Sequence, residues 1–147
     1  MKQRRVFPNA VADIRGSEAY PNLRGQVRFY QRRHCVLVEA TVQGLPVNET
    51  GFFGFHIHAG DNCTGDGFPD TGSHYNPAKA PHPFHAGDLP PLLSCHSGAY
   101  MTVATGRFHV ADIIGRTVVV HDMADDFNTQ PAGNAGTKIA CGVIRKV

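Results

Sequence analysis

Residues 26–43 read QVRFYQRRHCVLVEATVQ, and the spacing of their apolar positions decides the fold class. Val36, Val38, Ala40 and Val42 alternate with Cys35, Leu37, Glu39 and Thr41, the period of two that gives a strand one buried and one half-wet face. Gly44, Leu45 and Pro46 then stop the run, because proline has no N–H to give to a ladder. Outward from this segment, residues 52–58, 99–104, 117–121 and 139–144 offer further strands, each bounded by Gly, Pro, Asn or Asp. No segment carries a sustained helical period. Many short strands with turn chemistry between them predict an all-β antiparallel sandwich or barrel.

Two stretches interrupt this pattern. Residues 59–92 are rich in Gly, Pro, Asp and His, and residues 122–136 in Asp, Asn and Gly. Loops of that length inside a compact domain are functional or disordered, and these two flank the histidines. No repeat or linker divides the chain, so residues 1–147 are expected to form one domain. A chain of this length buries roughly 70% of the surface its unfolded form exposes. With 41% hydrophobic and 18% charged residues, neither disorder nor a membrane span is expected. The net charge of +2 is scattered apart from a short basic block at residues 2–5, so neither nucleic acid nor a membrane surface is an expected partner. Nothing after Met1 has the apolar stretch of a signal peptide. The sequence as given therefore points to the cytoplasm, or to export if a leader has been removed.

Nine histidines stand out. His56 and His58 lie in FFGFHIHAG, where residues two apart on a strand share a face and can address one metal ion. His74, His82, His85 and Asp88 follow in GSHYNPAKAPHPFHAGD, with the short spacings by which one loop wraps an ion. Pro77, Pro81 and Pro83 stiffen that loop and lower the entropy lost on closing it. Imidazoles with a carboxylate suit zinc, whereas an all-imidazole set suits copper as well. His121 ends the apolar run TVVVH, with Asp125 and Asp126 close behind. Such acids orient metal-bound imidazoles from outside.

The segments GFHIHAGD, GSHYNP, HAGDL, VVVHDMADD and GNAGTKIACGVI occur in that order across residues 51–144, and in this the chain resembles the copper/zinc superoxide dismutases. The resemblance implies a Greek-key β-sandwich or flattened barrel of about eight antiparallel strands with two long functional loops. It implies copper on His56, His58, His74 and His121, and zinc on His74, His82, His85 and Asp88, with His74 bridging the ions as an imidazolate. It also implies that Asp125 links a copper histidine to a zinc histidine, and that Cys63 and Cys141 form a disulfide. The activity implied is the disproportionation of superoxide to oxygen and hydrogen peroxide through Cu(II)/Cu(I) cycling. His74 would take up and return one of the two protons. The partners implied are superoxide, a copper-delivery protein and, in many members, a second copy of the chain. No exposed strip in the sequence identifies a contact surface.

The sequence departs from the family pattern in three places. Only Pro83 and Phe84 separate His82 from His85, where the family has a longer insertion. Lys138 stands where the family carries an arginine over the copper. It keeps the charge but loses the planar bidentate fork, so activity with weaker substrate anchoring is expected. Residues 128–136 hold no charge, leaving electrostatic steering, for which superoxide dismutase is a standard example, to Lys138 and the metals. Among the remaining candidates, His34, His96 and His109 match no ligand position, and Cys35 and Cys95 read as free thiols. The run GDNCTGDGFPD lacks the spaced acids and closing glutamate of an EF-hand.

Two rival functions remain. One is a relative that stores or delivers copper and zinc without turnover. The other is a zinc hydrolase built on His56, His58 and His121, for which the sequence offers no H-E-x-x-H arrangement.

Overall fold

The computed structural model describes residues 6–147, and the basic block at residues 2–5 lies outside them. Among the described residues nine strands form: β1 (Ala10–Gly16), β2 (Arg24–Gln31), β3 (Val36–Gln43), β4 (Phe52–Phe53), β5 (Phe55–His58), β6 (Leu92–Leu93), β7 (Ala99–Thr105), β8 (Thr117–His121) and β9 (Lys138–Lys146). One helical turn, α1 (Val110–Ile113), precedes β8. Seven strands make one antiparallel sheet in the order β5-β8-β9-β1-β2-β3-β7, and β4 pairs with β6. β4 runs into β5 at one sheet edge, and β6 turns at Cys95–Gly98 into β7 at the other. The β4–β6 ladder therefore joins the two edges and closes the curled sheet, which removes most of its unpaired rim.

Alternation explains the ladders. β1 buries Ala10, Ala12 and Ile14, β2 buries Val27 and Phe29, and β3 buries Val36, Val38, Ala40 and Val42. Their registers bring these together, with Ala12 opposite Val27 and Val27 opposite Ala40, so one apolar core fills the interior. The 26–43 run is not a single strand, because Arg32 N–H donates to Cys35 C=O (2.8 Å) and turns the chain back on itself. The 52–58 run also divides. At Gly54 the N–H donates to Met123 C=O and the C=O accepts from His121 N–H, both at 2.8 Å, in place of a strand ladder. β1 escaped the sequence reading because its inward residues at two of three positions are alanines, a weak signal for a buried face. Among the described residues no helix is long and apolar enough to cross a membrane.

Candidate metal centre

β5 is the platform of the site. Its Ile57 donates its N–H to Gly87 C=O and accepts from Tyr75 N–H, both at 2.8 Å, and Gly87 N–H reaches Tyr75 C=O at 2.9 Å. These bonds fasten two segments of the 59–92 loop alongside the strand. His74 thereby falls opposite His58, and Asp88 opposite His56. Gly87 is required at this point, since a Cβ there would overlap the Ile57 carbonyl. β8 pairs with β5 and delivers His121, and β9 bulges beside Val120 and His121 so that Lys138 pairs with His121. Bulges of this kind re-aim side chains next to sites.

Two groups of donor atoms result, each confined within 4.8 Å: His56, His58, His74 and His121, and His74, His82, His85 and Asp88. His74 alone belongs to both. The free nitrogen of each ring follows from what the other nitrogen touches, because a carbonyl or an ionised carboxylate only accepts. His58 Nδ1–H donates to Gly72 C=O (2.8 Å) and His121 Nδ1–H to Gly136 C=O (3.3 Å), which leaves both Nε2 lone pairs facing each other at 3.3 Å. His56 Nε2–H and His82 Nε2–H donate to the two oxygens of Asp125, at 2.8 and 2.7 Å. The atoms left over, His56 Nδ1 and His82 Nδ1, are buried without a hydrogen-bond partner, as is His74 Nε2. Orphaned buried nitrogens are rare in proteins, and here all three belong to the clustered donor groups.

The second group is tighter. His74 Nδ1 lies 2.7 Å from one oxygen of Asp88, while His82 Nδ1 and His85 Nδ1 lie 3.1 and 3.2 Å from the other. His74 Nδ1 and His85 Nδ1 are themselves 3.2 Å apart. A tetrahedral ion with ligand bonds of about 2.0–2.1 Å sets its donors about 3.3 Å apart, so these residues fit zinc. The all-imidazole first group fits copper.

Electrostatics agree with ligation. Burial lowers the pKa of His56, drives that of His58 well below the ordinary histidine value, and brings His121 to about 3, so these rings stay neutral with lone pairs available. Burial alone would raise the Asp125 carboxyl, yet hydrogen bonds from His56, His82 and the Phe127 N–H hold it well below the usual carboxylate range. Lys138 Nζ donates to Thr71 Oγ1 (2.7 Å) and Gly72 C=O (3.0 Å). It thus shares the Gly72 carbonyl with His58. Cys63 and Cys141 are bonded, tying the 59–92 loop to β9.

A profile described as copper/zinc superoxide dismutase (SODC) matches residues 23–144. The chain belongs to the copper/zinc superoxide dismutase family. Its relatives include superoxide dismutase [Cu-Zn] 2 of Mesembryanthemum crystallinum, 37% identical over 92% of this chain and 93% of the relative. Superoxide dismutase [Cu-Zn] 4 of Dictyostelium discoideum is 36% identical over 85% and 92%. The copper chaperone for superoxide dismutase of Rattus norvegicus is 34% identical over 93% of this chain and 53% of its own length. Copper and zinc are the cofactors of this superoxide dismutase family member.

Several residues around the centre are given no role by the sequence alone. Gly133 lies beneath the Asp125–His82 bond, where any Cβ would collide with both partners. Arg116 donates to Ala59 C=O (3.0 Å) and stacks 4.1 Å over the Tyr75 ring. Arg107 and Gln130 grip the loop backbone. Gly133 opens one of the family-like segments, but Arg116, Arg107 and Gln130 sit at no spacing that marks them, and the role of each is recognised only by what the fold brings to it. His34, His96 and His109 stay outside both donor groups, His109 capping α1. Cys35 and Cys95 are free thiols.

Proposed function

We propose that the chain disproportionates superoxide, converting two superoxide ions and two protons to oxygen and hydrogen peroxide. The observation that carries this reading is His74, which belongs to both donor groups, with Nδ1 beside Asp88 and His85 and Nε2 buried without a partner. In this reading His56 Nδ1 and the Nε2 atoms of His58, His74 and His121 would hold copper. His74 Nδ1, His82 Nδ1, His85 Nδ1 and Asp88 hold zinc. Copper supplies the Cu(II)/Cu(I) couple for one-electron exchange, which zinc lacks, leaving zinc a structural and electrostatic role.

The protein's own groups do the rest. His74 Nε2 is the site that accepts a proton when an electron enters and returns it when the electron leaves, so charge and proton move together. Asp125 keeps Nε2 of His56 and His82 protonated and their Nδ1 atoms free. Lys138, held by Thr71 and Gly72, presents a positive charge to the incoming anion. The likeness to the rat copper chaperone favours a second reading, in which the domain stores or delivers metal without turnover.

Metal content per chain measured beside pulse-radiolysis turnover tests both. One copper and one zinc with rapid superoxide loss is the expected result. Stoichiometric copper without disproportionation would favour the storage or delivery reading.

A further inference from the structure

The short zinc loop poses a physical problem. Only two residues separate His82 from His85, so there is little loop of its own to hold these ligands at a fixed separation. Two side chains from other parts of the chain reach it. Arg107, just past β7, directs Nη1 to Pro83 C=O at 2.8 Å and His85 C=O at 3.1 Å, with Asp88 C=O at 3.5 Å. Gln130, from the 122–136 loop, clasps the His82 backbone as a strand would: His82 N–H donates to its Oε1 (2.9 Å) and its Nε2–H donates to His82 C=O (2.8 Å). The His82 ring is fixed separately by Asp125.

We infer that Arg107 and Gln130 are positioning residues that set zinc affinity, replacing an intraloop scaffold with two external braces. Arg107 collects the carbonyls of Pro83, His85 and Asp88, and the amide of Gln130 fixes the backbone of His82. Both hold carbonyls or N–H groups rather than ligand atoms, so they act by limiting where the donors move in the absence of metal. Loss of outer partners of metal ligands weakens affinity by about 10- to 100-fold. Because both side chains reach solvent, the low end applies to each.

This inference rests on the reading of His82, His85 and Asp88 as zinc donors, and the experiment separates the two. Zinc affinity of the full chain is measured by competition with a chromophoric chelator for the parent, Arg107→Ala, Gln130→Met, the double variant and His85→Ala. Gln130→Met keeps the side-chain length and removes both hydrogen bonds. Each single variant should lose about tenfold in zinc affinity and the double variant more. Unfolding of the metal-free forms should stay close to that of the parent, and the cobalt(II) ligand-field bands at the zinc site should broaden. Zinc affinity within twofold of the parent in the double variant overturns the inference, and so does a loss matched by equal destabilisation of the metal-free protein. His85→Ala with full zinc affinity would instead overturn the ligand reading itself.

Discussion

At the residue scale, the free nitrogen of His56, His58, His82 and His121 is set by a carbonyl or carboxylate behind each ring. His121 serves only the first donor group, so His121→Ala should lower superoxide turnover by more than the roughly 10- to 100-fold that loss of an outer partner of a metal ligand costs, while zinc stays bound. Pulse radiolysis with metal analysis checks this, and unchanged turnover would break the assignment. Lys138 makes a different prediction. Burial lowers its pKa, so its charge, and the attraction it exerts, is lost at a lower pH than for an exposed lysine as the solution becomes alkaline. Arginine stays charged throughout. Lys138→Arg should raise turnover near neutrality, in line with bidentate anion contacts, and flatten the alkaline decline in a pH–rate profile. The places of these two residues beside the donor groups were legible in the sequence because they depend on residue type at a recognisable position.

At the element scale, the site depends on β5 acting as a ladder for loop segments that are not strands. The pivot is Gly87, whose amide and carbonyl are both engaged and whose Cα approaches the Ile57 carbonyl. Gly87→Ala should push the 85–88 segment off β5, destabilising the fold by about 1–3 kcal/mol as overpacking does, and weaken zinc with it. Urea denaturation of the metal-free form and chelator competition read the two effects, and parental values in both would show that the ladder tolerates a displaced loop. Strand periods were visible in 36–43, 99–104 and 117–121, where buried and exposed residues alternate or a short apolar run is bounded by turns. Helix α1, the two-residue strand β6 and β1 were not, because such short or alanine-lined elements draw their stability from neighbours rather than from local pattern.

At the scale of the whole molecule, the metal-free fold holds neutral histidines inside the curled sheet. His56, His58 and His121 have folded pKa values below the unfolded value of 6.5, about 3 for His121. The unfolded chain therefore binds more protons between those limits. Their contribution is complete above pH 6.5 and is lost as pH falls toward the folded values, at about 1.4 kcal/mol per pH unit for each histidine that stays neutral. Denaturant titrations of the metal-free protein between pH 7.5 and 4 should show stability falling with acidity from about pH 6. A flat profile would mean these rings are not held neutral by burial. Bound ions should postpone the fall, since protons compete with metal for the same lone pairs.

What the sequence by itself determined is the chemistry available and its order along the chain. His56 and His58 are two apart on a strand, the loop ligands are closely spaced, and Lys138 adjoins the last strand; all of these are short-range relations. Only the tertiary structure decided which nitrogens are free, how His121 meets His58 across 63 residues, and why the loop holds its shape. Those depend on sheet order and on hydrogen bonds from Gly72, Asp125, Arg107 and Gln130, contacts between segments distant in the chain, for which no local period exists.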